Sequence, residues 1–262
     1  MITARHVKVP EMTVYFWIVK ILTTALGEAV SDYLVNRYSP PLMVIIGFVA
    51  FVAALALQFR TPRYVAWVYW LAALMVSVFG TMAADVVHIG MGVPYSASTI
   101  LGVVALVVVF VWWNRSEGTL SIHSIYTPRR EMFYWATALI TFALGTATGD
   151  LTAITFHLGY LSSGVLFAVV FAMPAVMFGV FRRHGVMAFW FAYIATRPFG
   201  ASFADWFAKP HSARGLGHGG GPVSLILAVL LGGFVVFLTA SRVDVPDAEQ
   251  YQVDSDTREL RS

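Results

Sequence analysis

The sequence has no cysteine and little charge: of 262 residues, 12% are Asp, Glu, Lys or Arg. Without a thiol, disulfides and thiolate metal sites are excluded. The net charge of +3 is small, and the basic residues fall in loops between apolar runs rather than on one patch. A nucleic-acid partner is therefore not expected. No short apolar core with a small-residue cleavage site opens the chain, so no removable signal peptide is expected. What fills the chain instead is apolar: 58% hydrophobic residues and a mean hydropathy of +0.74. Runs of about 18 or more apolar residues follow one another with short breaks, the pattern of a polytopic membrane protein.

A repeat organises these runs. The stretch Trp17 to Asp32, WIVKILTTALGEAVSD, returns at Trp70 to Asp85, Trp135 to Asp150 and Trp190 to Asp205. Each copy keeps Trp, nine residues, Gly, four residues, Asp, and the Gly-to-Asp segments read GEAVSD, GTMAAD, GTATGD and GASFAD. Eight spans are expected, at about 12–35, 42–59, 64–89, 95–113, 131–158, 161–181, 186–208 and 222–240. They pair into hairpins at about 11–63, 64–118, 129–184 and 185–242, each a long first helix carrying the motif and a shorter, more uniformly apolar second one. Because each unit crosses twice, all four face the same way. The fold class is all-α, with eight transmembrane helices as four parallel tandem hairpin repeats. Units one and three share ALG and units two and four share FG and AD, consistent with a hairpin doubled and the pair doubled again.

The positive residues set the orientation. Arg5, Lys8, Arg60, Arg63, Arg115, Arg129, Arg130, Arg182, Arg183 and Arg242 lie on one side, and only Arg37, Lys209 and Arg214 on the other. Both termini are expected in the cytoplasm. The polar tail, 243–262, is expected to be disordered.

On Trp17, Trp70, Trp135, Trp190 and the Gly and Asp after each, the chain over about 11–241 resembles a family of bacterial inner-membrane proteins of uncharacterised function, built from four tandem two-helix repeats. The resemblance implies an eight-helix membrane protein associated with transport, and supplies no substrate.

The acids carry the chemistry. Glu28, Asp32, Asp85, Asp150 and Asp205 all belong to the repeated segment. Asp lies roughly 22 Å of helix beyond each Trp. The Trp residues are read as an interfacial belt, which places the acids in the outer part of the bilayer. Four charged Asp there would cost on the order of 10 kcal/mol unless paired or wet. The residue four before each Asp, on the same face, is Glu28, Thr81, Thr146 or Ala201. His88 follows Asp85 by three and His157 follows Asp150 by seven, both at helical spacings. Oxygen and imidazole donors suit a divalent ion of the Mn²⁺ or Zn²⁺ class.

Two bases lie within the helices. Lys20 is placed to snorkel toward the cytoplasmic face. Arg197 precedes Pro198, whose ring is expected to kink the seventh helix, and the pair is read as a gate below the acids. RGLGHGGGP, 214–222, lacks a preceding strand and the Lys-Ser/Thr ending of a phosphate loop, so it is read as a flexible outer loop with His211 and His218 as weak metal-capture candidates.

The reading is a secondary transporter of a divalent metal cation, with proton exchange as the candidate coupling. Its site is Asp32, Asp85, Asp150, Asp205, Glu28, His88 and His157. No catalytic role and no organic cofactor are expected, the partners are the lipid bilayer, the cation and protons, and an oligomer is compatible with it. The alternatives are proton-coupled transport of a small organic solute, an intramembrane enzyme using Asp85 and His88, and a ligand-binding subunit that needs a partner chain.

Overall fold

The computed structural model describes residues 7–181 and 185–246, with side chains outside 175–181. Among these residues the structure is eight α-helices without strands: α1 Val14–Arg37, α2 Pro40–Arg60, α3 Ala66–Asp85, α4 Tyr95–Glu117, α5 Pro128–Asp150, α6 Tyr160–Phe181, α7 Gly185–Ala208 and α8 Gly220–Ser241. The expected spans match these within a few residues, because the breaks are chemically plain. Pro40 and Pro128 sit in the first turns of α2 and α5, where a missing N–H costs nothing. Gly118 closes α4 in a left-handed conformation. Two helices run past their α-helical part: α3 continues as a π-helical turn, Val86–Gly90, and α5 as another, Leu151–Thr155.

Six helices are long and apolar enough to cross a membrane: α1, α2, α3 with its π turn, α4, α5 with its π turn, and α8. These mark a helical membrane protein. α6 adds an apolar stretch, Tyr160–Pro174, while α7 carries Arg197, Pro198 and Asp205 within its length. The helices divide by burial. Of the best apolar windows of α1, α3 and α5, 61, 56 and 61% are buried inside the protein, against 22, 11 and 17% for α2, α4 and α8. The outer helices therefore present side chains such as Ile45, Val107 and Leu225 to their surroundings.

Packing is cyclic. The first helices follow one another round a ring, α1 on α3, α3 on α5, α5 on α7 and α7 on α1. Each second helix packs chiefly on the first helix of the next unit: α2 on α3, α4 on α5, α6 on α7, and α8 back on α1. A hairpin of this chain is thus not self-contained, and each unit completes its neighbour.

The motif residues make these contacts. The aromatic residue before each Trp packs on the Trp of the next unit: Phe16 on Trp70 with centroids 5.7 Å apart, Tyr69 on Trp135 at 5.5 Å, Tyr134 on Trp190 at 6.1 Å, and Phe189 on Trp17 at 5.7 Å. Trp70, Trp135 and Trp190 are buried, so the expected interfacial belt is an internal aromatic ring. Each motif Gly receives the residue seven after the next unit's Trp. Gly27 faces Ser77, Gly80 faces Phe142, Gly145 faces Arg197 and Gly200 faces Thr24. A side chain on any of these glycines would collide with its partner, which is why the position stays Gly in every copy.

The Trp end is closed by a strap. Residues 7–11 cross it, with the Val7 carbonyl accepting from Tyr64 N–H, Lys8 N–H donating to Ile125 and Glu11 N–H donating to Asp244. The Lys8 ammonium lies 2.5 Å from buried Glu131, which also accepts from Gln58 at 2.9 Å. Within the expected disordered tail, Asp244 is buried and accepts a hydrogen bond from the Tyr64 hydroxyl. Its carboxyl is pushed up from the ordinary range by burial, against the opposing effect of that hydrogen bond. Residues 247–262, Arg5, Arg182 and Arg183 lie outside the described residues.

Candidate functional site

Reading upward from the aromatic ring, each first helix contributes one inward residue per turn. Three residues after the Trp come Lys20, Ala73, Ala138 and Tyr193. Lys20 is buried, its ammonium 4.1 Å from the centroid of Phe142 and 4.0 Å from that of Tyr193. It does not snorkel, because its helix lies in the inner ring, and its amine rests against two ring faces.

The next layer is Thr24, Ser77, Phe142 and Arg197, all buried. From it the Arg197 guanidinium reaches the layer above. It donates to the Thr24 carbonyl at 3.1 Å, to Glu28 at 2.6 Å, to Thr146 at 2.8 Å and to the Thr81 hydroxyl. Thr81 in turn donates to Glu28 at 3.1 Å. Glu28, Thr81 and Thr146 are three of the four residues placed by their spacing four before the acids, and one arginine gathers all three. α7 runs unbroken through Pro198 as one helix from Gly185 to Ala208.

Above this lie the four Asp, which the structure divides into two pairs. Asp205 is buried, and Asp32, Asp85 and Asp150 are half-buried. Glu28, Asp32 and Asp205 each offer an oxygen, these atoms lying within 4.8 Å of one another, the one such group among the described residues. Lys209 bridges it, paired with Asp32 and lying 3.5 Å from Asp205. Burial acts to lower the Lys209 pKa, but Asp205 and Asp32 outweigh it and hold the amine charged, above its ordinary range. Asp85 and Asp150 are not in this group, and among the described residues they have no hydrogen bond or ion pair. Each immediately precedes one of the two π turns, a feature frequent at functional sites.

The histidines lie apart from the trio. His88 is buried with its Nδ1 3.2 Å from the Val93 carbonyl and 3.4 Å from the Ser98 hydroxyl, and its ring packs 4.4 Å from Tyr95. No Asp85–His88 hydrogen bond exists among the described residues. α5 and its π turn end at Thr155, so His157 is not on a helical face with Asp150. It is exposed at φ 58°, and its carbonyl accepts from Arg214 at 2.9 Å. The Nδ1 atom of His211 is turned to the Gly215 carbonyl, 3.0 Å away.

RGLGHGGGP has a different role from a flexible loop. Leu216, Gly217, His218 and Gly219 donate their N–H groups to the carbonyls of Trp206, Lys209, Phe207 and Ala208. These bonds cap the end of α7, where helical carbonyls otherwise lack partners. Gly217 and Gly219, at φ +74° and +82°, allow the reversal.

Two grooves flank the contact of α1 with α7, of about 860 and 850 Å³. Their linings are apolar, around Trp17 and Phe189 in one and Phe203 and Ile226 in the other. Neither is lined by one of the acids, so neither is part of the polar site.

Sequence reasoning reached the acids and Arg197. It missed the role of Lys209, whose signal was its position four after Asp205, the spacing that joins side chains on a helix.

Comparison with family models finds the Repeat of Unknown Function (DUF347) four times, at residues 15–64, 68–119, 133–184 and 188–244. The chain belongs to the DUF347 family. Each match to the DUF347 repeat covers one hairpin and contains one copy of the Trp, Gly and Asp motif, so the family unit and the cyclic unit coincide. Comparison with curated proteins and with solved structures finds no match.

Proposed function

We propose that this DUF347 protein is a secondary transporter of a divalent metal cation, exchanged for protons. It sits in a bacterial inner membrane with eight spans, four parallel hairpins and both termini in the cytoplasm. The observation that carries the reading is the trio of Glu28, Asp32 and Asp205, three carboxylate oxygens from α1 and α7 within 4.8 Å of one another. Acids at membrane depth are costly and by default functional. With the histidines turned elsewhere, the donors are all oxygen, which suits Mn²⁺ better than Zn²⁺. Arg197 and Lys209 compensate the trio when no cation is bound. Asp85 and Asp150, half-buried and without a side-chain partner among the described residues, are the pair free to exchange protons.

Single Asp→Asn variants, purified and reconstituted, separate these roles. Asp32→Asn and Asp205→Asn are expected to weaken Mn²⁺ binding about tenfold or more, a loss of the size of one charge-assisted contact. Asp85→Asn and Asp150→Asn should leave Mn²⁺ affinity near the parent value and reduce proton-coupled flux in proteoliposomes. Equal Mn²⁺ affinity in all four variants and the parent would reject the trio as the site. Selective loss of function in Asp85→Asn, with no metal dependence anywhere, would favour the intramembrane enzyme.

A further inference from the structure

Among the described residues Lys209 is the one basic residue that touches two of the trio's carboxylates, Asp32 and Asp205. We propose that it is the site's resident occupant, a tethered cation that an incoming divalent ion must displace. The inference rests on the cation-transport reading and adds how that site is regulated.

Three features support displacement rather than a fixed brace. The first is position. The ammonium reaches Asp32 on α1 and Asp205 on α7, bridging the two helices that supply the trio. A divalent ion binding the trio would need those same oxygens, and two cations cannot share a gap of that size without strong repulsion.

The second is the way the backbone is held. Lys209 N–H donates to the Asp205 carbonyl at 2.8 Å, and the Lys209 carbonyl accepts from Gly217 at 2.8 Å. A Cβ at Gly215 would also collide with the Lys209 carbonyl, so the chain passes close there. The α7 cap is made by main-chain atoms alone. The side chain can therefore leave the carboxylates by changing rotamers while the loop stays intact, which is a small rearrangement for a four-carbon stem.

The third is exposure. The chain has three lysines, Lys8, Lys20 and Lys209. Lys8 and Lys20 are 7 and 1% exposed, whereas the Lys209 side chain is 29% exposed. The side chain already borders the outside of the protein and has somewhere to go. Arg197 is different: it is buried, with hydrogen bonds to three helices besides its own. Of the two bases at the trio, the geometry makes Arg197 the fixed counter-charge and Lys209 the movable one. A monovalent ion gains less than a divalent one by evicting a charged amine from two carboxylates, so the tether also selects against Na⁺ and K⁺.

The test uses the whole purified protein in detergent. Lys209 is acylated with an amine-reactive ester with and without MnCl₂, and modification is read by mass spectrometry. Mn²⁺ should speed acylation of Lys209 severalfold and leave Lys8 and Lys20 unmodified. In parallel, Lys209→Met should bind Mn²⁺ about tenfold more tightly than the parent, and Lys209→Arg no more tightly than it. Mn²⁺ that protects Lys209, or leaves its rate unchanged while binding, overturns the tether and leaves the cation reading standing. Equal or weaker binding by a folded Lys209→Met does the same. Absence of binding by Mn²⁺, Zn²⁺, Mg²⁺ or Ca²⁺ to the parent and to Lys209→Met removes both. The acylation measurement needs no variant, so a misfolded Lys209→Met still leaves a decisive result.

Discussion

Arg197→Ala should destabilise the protein by about 3–5 kcal/mol, the usual consequence of leaving one partner of a buried ion pair alone. The partner is Glu28, 4% exposed and 2.6 Å from the guanidinium. Thr81 and Thr146 lose a donor at the same time. Denaturation of the purified protein in detergent, followed through its tryptophans, measures the change. Removing both charges with Arg197→Met and Glu28→Met should recover most of it, because neither ion is then stranded. Arg197→Lys should fall between, since an ammonium lacks the planar fork that spans several acceptors. Under the cation-transport proposal Arg197→Ala also binds Mn²⁺ more tightly, and saturating Mn²⁺ should restore part of the lost stability, about 2.7 kcal/mol at a hundred times Kd. A folded Arg197→Ala that no longer binds Mn²⁺ would make the arginine a ligand and turn the reading toward an anionic or zwitterionic solute. Parent-like stability would mean the ion pair contributes nothing.

Gly145→Ala should be costly although it adds a single methyl. An added Cβ would overlap the Cβ and Cγ atoms of Arg197 and lie 3.1 Å from Pro198. Those atoms are the root of the side chain and cannot swing away, so α5 and α7 must separate. Overpacking of this kind costs about 1–3 kcal/mol, and the shift also pulls the guanidinium from Glu28. Gly80→Ala should be milder, its Cβ lying 2.8 Å from the Cβ of Phe142. Gly232→Ala is the control: nothing lies within 4 Å of its added methyl, and replacing Gly within α8 should be neutral or stabilising by about 0.5–1 kcal/mol. If Gly145→Ala and Gly232→Ala unfold alike, the motif glycine has no packing role.

The motif was legible in the sequence, and its meaning only in part. Apolar run length and Pro and Gly breaks located all eight helices, because those signals are local. The regular spacing of Trp, Gly and Asp announced four equal units. The partners of Trp and Gly were invisible, since each lies on a neighbouring unit, or at the far end of the sequence where the ring closes, and an aromatic at a helix end looks alike whether it meets lipid or another ring. Lys20 was misjudged for a related reason: snorkelling assumes a helix at the lipid boundary, and α1 is in the inner ring. Spacing brought Glu28, Thr81 and Thr146 to one level but could not say that Arg197 gathers them. His157 shows the limit of helical arithmetic, which fails once a π turn and a left-handed residue intervene.

The ring also bears on what a beginning and an end mean in this protein. α8 packs on α1 as α2 packs on α3, and Gly200 meets Thr24 as Gly27 meets Ser77. The Glu11 amide meets the Asp244 carbonyl at 2.9 Å, so the segment before α1 touches the segment after α8. The units form a closed circle that the covalent chain opens at one arbitrary point. A circular permutant that joins the residues after Asp244 to those before Glu11 by a short linker, and starts at Thr119 in the connector between α4 and α5, should fold to the same ring. Its helix order would be α5, α6, α7, α8, α1, α2, α3, α4, with the trio of Glu28, Asp32 and Asp205 intact.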